Sequence, residues 1–182
     1  VTRFMHWLKT HVGNSSESPV TELSAADKLE EFRKEQDGYL WQSFEPICAS
    51  ADHAAIVHYS ATKDSNVPVT ENGLFLTDTG GGYLEGSTDI TRTFAFGNVP
   101  QNMKEDFTSV LLCNLHLANV VFPYSTTGGS LDVIGRLPLW KRGLDFNHGT
   151  GHGVGYLMNI HEEPARFRRY LGNKAPIQDI AL

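Results

Sequence analysis

The sequence has few cysteines, no excess of positive charge and no long apolar run, and each shortage excludes a class of protein. Its two cysteines, Cys48 and Cys113, are too few for a disulfide framework or a thiolate zinc site. Two reduced, buried thiols are favoured over a single bridge. Fifteen lysines and arginines against 21 acidic residues give a formal net charge of −6, which argues against a nucleic-acid binder that neutralises phosphates. No apolar run approaches the roughly 20 residues that span a bilayer, so we expect no membrane partner.

A starting methionine is also missing: the first residue is Val1, and we expect the native N-terminus to lie upstream of it. The chain has 182 residues, of which 40% are hydrophobic and 20% charged. These values are typical of an ordinary globular protein rather than a disordered or fibrous one. At about 150 residues per domain, the length predicts a single domain.

Helices and strands are mixed along the chain without regular alternation, which favours an α+β fold over a doubly wound sheet. Apolar residues at helical spacing predict helices at residues 1–12, from Ser24 onward, at 101–121 and at 131–142. Runs of β-branched and aromatic residues predict strands at residues 54–59, 74–78 and 88–96, with residues 80–82 as a turn.

Two aspartates flank the glycine-rich turn of a predicted hairpin. If the hairpin turned between Tyr83 and Leu84, Asp78 and Asp89 would face each other directly, with Cβ atoms about 5 Å apart. Like charges in that position destabilise a sheet unless cations lie between them, and two divalent metals about 3.5–4 Å apart would fit. The competing interpretation is that one or both aspartates are turn residues exposed to water.

Histidines cluster in the C-terminal part of the sequence. His148, His152 and His161 fall within fourteen positions, and His58 lies in a predicted apolar strand. The interspersed glycines disfavour a helix, so we expect extended chain, and three imidazoles among glycines are hard to explain by packing. Ala165 stands where a helical two-histidine zinc motif starting at His161 would need its second histidine, so that motif is excluded.

Taken together, these segments resemble the aminopeptidase P (Xaa-Pro aminopeptidase) family, in the larger, eukaryotic-like branch of the pita-bread metallopeptidases. The resemblance covers nearly the whole chain. It rests on Asp78-Thr-Gly-Gly, Ser-Thr-Asp89-Ile-Thr-Arg92-Thr, His148-Gly-Thr-Gly-His152-Gly-Val-Gly, Asn159-Ile-His161-Glu162 and Ala55-Ile-Val-His58-Tyr59. It implies that residues 1–182 form a single partial catalytic domain with a pita-bread fold truncated at both ends.

The resemblance also implies a dinuclear metal site. Such a site usually holds two Mn²⁺ ions, with Zn²⁺ or Co²⁺ as alternatives. Asp78 would bind one metal through both oxygens, Asp89 would bridge the two metals, and His152 would be the sole imidazole ligand. The last two ligands would be glutamates that lie beyond Leu182, and Glu162 and Glu163 do not match their motifs.

Three further histidines acquire roles from the same resemblance. His58, His148 and His161 would line the substrate site and take part in catalysis, with His161 as proton shuttle or stabiliser of the tetrahedral intermediate. A hydroxide bridging the metals would attack the carbonyl before proline. The implied substrates are peptides with proline in the second position.

Beyond the site, we expect the full-length protein to be a cytoplasmic homodimer, and the isolated chain to bind metal weakly, expose apolar surface and be inert. Two alternatives stay open: an Xaa-Pro dipeptidase, and a non-catalytic pita-bread module that binds peptides or proteins.

Overall fold

The structure, a computed structural model, describes residues 1–14 and 18–169. These residues form two compact units: Val1–Pro100 with Gly155–Ile160, and Gln101–Val154 with residues 161–169. Each unit combines helices with β-strands, in line with the α+β prediction. Residues 15–17 and 170–182 of the predicted single domain lie outside the described residues, and the single-domain assignment stays a prediction.

The first unit begins with two helices, α1 (Thr2–His11) and α2 (Glu22–Lys34). The predicted N-terminal helix is confirmed, but α2 begins earlier than Ser24. Thr21 is its N-cap: the Thr21 hydroxyl accepts from the Ser24 backbone N–H, and the Ser24 hydroxyl accepts from the Thr21 N–H. This reciprocal capping box satisfies two backbone donors at once, so Ser24 lies inside the first turn.

Antiparallel sheets follow the helices in this unit. One has the order β2 (Ile47–Ser50), β3 (Gly73–Thr79) and β6 (Ile90–Phe96); the other has β1 (Tyr39–Gln42), β4 (Gly81–Tyr83) and β5 (Gly86–Ser87). The strands predicted near 74–78 and 88–96 are confirmed. The turn predicted at residues 80–82 is wrong, because Gly81 and Gly82 pair within the second sheet and the chain turns at Leu84 and Glu85.

The core of the first unit lies between the two helices and one face of the β2–β3–β6 sheet. Phe75 and Phe94 are directly paired across β3 and β6, and their ring centroids lie 6.5 Å apart. The other buried members of this cluster are Phe4, Leu8, Ala25, Leu29, Cys48, Val69 and Phe96. Cys48 and Cys113 are both buried and unbridged, as predicted.

A 3₁₀-helix (Ala51–Ala55) and a turn replace the strand predicted at residues 54–59. The cause is Glu22, whose fully buried carboxylate accepts hydrogen bonds from the Ser50 N–H (2.8 Å) and the Tyr59 hydroxyl (2.7 Å) and contacts His53 Nδ1 at 2.9 Å. A buried carboxylate needs such partners. Gathering them from this segment folds it into a loop and leaves its apolar residues Ile56 and Val57 more than half exposed.

The second unit consists of α3 (Gln101–Ala118), α4 (Gly128–Trp140) and the hairpin of β7 (Gly151–Val154) and β8 (His161–Phe167). Both predicted helices are confirmed with shifted ends, since α3 stops before residue 121 and the Thr127 hydroxyl caps α4. Several apolar side chains of α3 are more than 40% exposed: Phe107, Val110, Leu111, Leu112 and Leu115. The expectation of exposed apolar surface is therefore confirmed. Within the described ranges, no helix is both long and apolar enough to cross a membrane.

Candidate metal centre

Asp78 lies in the middle strand of its sheet, on the face opposite to Phe75. It is paired with Ile47 of β2 on one side and Thr91 of β6 on the other, and neither neighbour carries a positive charge. Its Oδ1 atom is buried and has no hydrogen-bond partner among the described residues. An unsatisfied buried acceptor costs free energy, and a cation bound to this carboxylate would remove that cost. A carboxylate oxygen is also a ligand that hard divalent metals prefer.

Asp89 does not face Asp78 directly, and that part of the prediction is wrong. The partner of Asp78 is Thr91, because the hairpin turns at Leu84 and Glu85, one residue later than predicted. Asp89 immediately precedes β6 and stands two positions before Thr91. The alternation of side chains along an extended chain assigns it to the face of Thr91 and Asp78, as a diagonal neighbour with Cα atoms about 7–8 Å apart. The approach of the two carboxylates stays a prediction.

Between Asp78 and Asp89, the backbone of Gly80 lies in close contact with the backbone of Thr88. Pairing is interrupted at Gly80, where the Thr88 carbonyl accepts a hydrogen bond from the Ser43 hydroxyl (2.8 Å) and the Thr88 hydroxyl accepts one from the Gly81 N–H (3.0 Å). A Cβ atom at Gly80 would lie 1.9 Å from the Thr88 carbonyl oxygen. Only glycine fits there, and the backbone that leads into Asp89 is held closely.

His58 lies in the turn after the 3₁₀-helix rather than in a strand, and it is exposed. Its backbone φ is 56°, a left-handed conformation that is uncommon for residues other than glycine. The adjacent Tyr59 fixes this turn through its hydrogen bond to buried Glu22. The role of His58 in binding substrate stays a prediction.

His152 and His161 lie on the hairpin of the second unit, and their ring centroids are 4.0 Å apart. The extended conformation predicted for the glycine-rich segment is confirmed by β7. A Cβ at Gly153 would lie 2.7 Å from the Glu162 carbonyl oxygen, which explains one of its glycines. The Nδ1 of His152 lies 2.8 Å from the Gly153 carbonyl. A carbonyl can only accept, so Nδ1 donates this hydrogen bond, and a metal would bind this ring through Nε2.

His148 lies in the loop before β7. Its Nδ1 donates to the Gly149 carbonyl at 2.7 Å, and its ring stacks on Phe146 with centroids 4.6 Å apart. Its own carbonyl accepts from Arg136 of α4 at 2.7 Å. The loop that presents His148 is therefore anchored to the helix.

The anchoring residues, Asp132, Arg136 and Thr150, were missed by the sequence reasoning. Arg136 and Asp132 are almost completely buried and form an ion pair of 2.9 Å, and Thr150 donates to the other oxygen of Asp132. A signal for them was present: opposite charges four residues apart on a helix that is otherwise largely apolar.

The metal ligands implied by the resemblance are divided between the two units, with Asp78 and Asp89 in the first and His152 in the second. Of the residues that the structure describes, no three His, Cys, Asp or Glu side chains are grouped so that they could hold a metal ion. The ligand set therefore stays a prediction, supported for Asp78 by its unsatisfied oxygen.

The chain has the fold of the pita-bread class of α+β proteins, because solved structures of that class superpose on it closely, as given below. Its sequence matches the model of metallopeptidase family M24 over residues 1–179. The chain belongs to that family.

Two curated proteins show how similar this chain is to known members of the family. The chain is 42% identical over 164 residues to a probable Xaa-Pro aminopeptidase P of Aspergillus flavus, which covers 90% of this chain and 25% of that protein. It is 42% identical over 179 residues to aminopeptidase P2 of Arabidopsis thaliana, covering 98% of this chain and 25% of that protein. The chain thus spans about a quarter of the length of these curated relatives.

Solved structures agree with the sequence matches. The X-prolyl aminopeptidase of Caenorhabditis elegans, described as a cytosolic enzyme with a di-nuclear active site, superposes with a TM-score of 0.85 at 41% identity, over 91% of this chain and 27% of that one. A prolidase of Thermococcus sibiricus gives a TM-score of 0.79 at 26% identity, over 98% of this chain and 44% of that one.

Proposed function

We propose that this chain is part of the catalytic domain of a metal-dependent aminopeptidase, which hydrolyses the bond between an N-terminal residue and a following proline. The observation that carries the proposal is the buried, unsatisfied Oδ1 of Asp78. It occurs at the position where the family resemblance requires a metal ligand, in a chain 42% identical to proteins named aminopeptidase P.

Asp78, Asp89 and His152 would hold two divalent ions together with two glutamates from outside this chain. Two carboxylates and one imidazole suit Mn²⁺, with Zn²⁺ or Co²⁺ as alternatives. When bound, such ions lower the pKa of water and polarise the scissile carbonyl. A bound cation would also satisfy the Oδ1 atom of Asp78, which accepts no hydrogen bond among the described residues.

The remaining histidines supply proton chemistry and substrate contacts. His161, whose ring lies against that of His152, would move a proton or stabilise the charge that develops on the tetrahedral carbon's oxygen, because an imidazole changes charge near neutral pH. His148 and His58 would line the substrate site.

An Xaa-Pro dipeptidase is the second candidate, because the Thermococcus prolidase has the same fold over 98% of the chain. A non-catalytic module that binds peptides is the third, and it ranks lower because Asp78, Asp89 and His152 are all retained. The cytosolic description of the Caenorhabditis enzyme supports a cytoplasmic location. We propose a homodimer for the full-length protein.

The test uses the full-length protein to which this sequence belongs, loaded with Mn²⁺. We expect it to release the first residue from a tripeptide with proline in the second position, and to lose this activity on chelation. Preference for an Xaa-Pro dipeptide over the tripeptide would favour the prolidase alternative, and no cleavage of either would favour the binding module. The 182-residue chain alone, with Mn²⁺, should be inert, and cleavage by it would contradict the partial-domain proposal.

Matched histidine variants separate ligand from outer residue. His152→Ala should lower the metal content per chain, because it removes the sole imidazole ligand. His161→Ala should leave the metal content largely intact and lower turnover. Metal analysis of both purified variants checks this division, and equal metal loss in the two would show that the assigned roles are wrong.

A further inference from the structure

One buried side chain, Arg136 of α4, ties down the loop of residues 145–150 that carries His148. We propose that Arg136 is a positioning residue that fixes both the backbone and the imidazole ring of His148. The inference deepens the proposed function, on which it rests for the role of His148. The structural part of the claim stands on contacts within the second unit alone.

The Arg136 side chain is 1% exposed, and its guanidinium donates both to the helix and to the loop. On the helix side, Nε donates to Asp132 Oδ2 at 2.9 Å. On the loop side, Nη1 donates to Asp145 Oδ1 at 2.8 Å and to the Phe146 carbonyl at 2.6 Å, and Nη2 donates to the His148 carbonyl at 2.7 Å. Four acceptors from two segments therefore meet at one planar group.

The ring of His148 is held through the same group. The Arg136 guanidinium carbon lies 3.9 Å from the centroid of the Phe146 ring. The Phe146 ring also stacks on the ring of His148, with centroids 4.6 Å apart and planes inclined by 28°. Phe146 thus transmits the position of the guanidinium to an imidazole whose own surface is exposed.

Asp132 extends the clamp toward β7. Its Oδ1 accepts from the Thr150 hydroxyl, while the Thr150 N–H donates to the Phe167 carbonyl of β8 at 2.9 Å. Thr150 stands two residues before His152. The Asp132–Arg136 pair therefore sets the entry of the strand that carries the proposed imidazole ligand as well as the loop that carries His148.

Lysine cannot replace this arginine. An ammonium has three donors at one point, whereas the guanidinium has five in a planar fork and can stack on an aromatic ring. Arg136→Lys keeps the charge that Asp132 and Asp145 require but gives up several of the four loop and helix contacts. Arg142→Lys is the matched control, because the ion pairs and the hydrogen bond that the structure describes for the Arg142 side chain go to Glu105, Asp106 and Ser109 of α3.

The first readout is NMR of the 182-residue chain with labelled histidine. We expect the His148 ring signal to shift or broaden in Arg136→Lys, and to stay unchanged in Arg142→Lys. If Arg136→Lys fails to fold, Phe146→Leu decides: it leaves the ion pairs of Arg136 in place and should alter the His148 ring signal while the backbone signal of His148 persists. An unchanged His148 ring in the folded variant that is tested overturns the inference.

The second readout is kinetic, in the full-length protein. Arg136→Lys should lower kcat about 10- to 100-fold, as displacement of a catalytic-site group does, with metal content per chain unchanged and KM changed less than kcat. Equal kcat in wild type and variant overturns the positioning role. If the wild type itself cleaves no Xaa-Pro peptide, the proposed function fails, while the NMR comparison still tests whether Arg136 positions His148.

Discussion

Replacing Gly80 by alanine should destabilise the first unit more than its small change in volume suggests. The added Cβ would lie 1.9 Å from the Thr88 carbonyl oxygen, 2.2 Å from Ser43 Oγ and 2.8 Å from an atom of the Phe44 ring. The Ser43 hydroxyl can rotate away, but the carbonyl belongs to the backbone and can move only with the hairpin. The φ angle of Gly80 is not positive, so the effect comes from the lack of space and not from backbone strain.

The magnitude follows from two terms. Forcing an extra carbon into a packed site costs about 1–3 kcal/mol, and loss of the hydrogen bond from Ser43 to Thr88 adds about 1 kcal/mol. We therefore expect the free energy of unfolding to fall by about 2–4 kcal/mol. For a unit of this size, that loss lowers the melting temperature by about 10 °C or more.

Chemical denaturation followed by circular dichroism measures the change, with Gly129→Ala as control. A Cβ at Gly129 would meet its nearest atom at 3.5 Å, an ordinary contact, and alanine is favoured over glycine in a helix by about 1 kcal/mol. The control should therefore be neutral or more stable. A Gly80→Ala chain as stable as wild type would refute the tight approach of Gly80 to Thr88, and with it the described path into Asp89.

Two further predictions concern titratable groups. Burial alone would raise the pKa of Asp145, but hydrogen bonds from Trp140 and Arg136 outweigh it and hold the pKa well below the usual range. Since the unfolded carboxyl titrates near pH 4, its stabilising contribution is complete above about pH 4 and is lost as the pH falls toward the folded-state value. Asp145→Asn should lack this acid-side loss in urea melts between about pH 5 and about pH 2, and parallel pH profiles would contradict the assignment. Burial raises the pKa of the Cys48 thiol to about 12, so its alkylation near pH 8 should be at least about a hundredfold slower in the folded chain than in denaturant; equal rates would show that Cys48 is accessible.

The helices and the central hairpin could be predicted from the sequence because their signals are local. The alternation around Phe75 and Phe94 gives a strand whatever surrounds it, and the apolar spacing of α1 gives a helix. The position of the turn could not be obtained in this way. Three consecutive glycines, Gly80 to Gly82, are typical of turns, yet two of them pair in a short strand, and this one-residue shift moved Asp89 from a direct to a diagonal neighbour of Asp78.

Long-range contacts explain the other differences. The apolar run around Ile56 has strand character, but the carboxylate of Glu22, more than twenty residues earlier, recruits donors from Ser50 and Tyr59 and makes a loop. In the same way, the role of Arg136 could not be predicted, because three of its four acceptors lie in a loop whose path no local sequence pattern reveals. Candidate site residues such as His148 can be identified from their residue type and sequence pattern. The residues that position them, such as Arg136, can be identified only from the tertiary structure.

The interrupted hairpin also constrains which changes of length the chain can accept. The same residue pairing continues on both sides of the break at Gly80, from Thr79 opposite Ile90 to Gly82 opposite Ser87. Insertions at Leu84 and Glu85 lengthen only the tip. A single residue inserted between Asp89 and Ile90 would instead shift Asp89 onto the face of Phe75 while β6 keeps its register, because side-chain direction alternates with every residue. Over evolutionary time, this hairpin can therefore grow at its tip but not at the junction of Asp89 with β6.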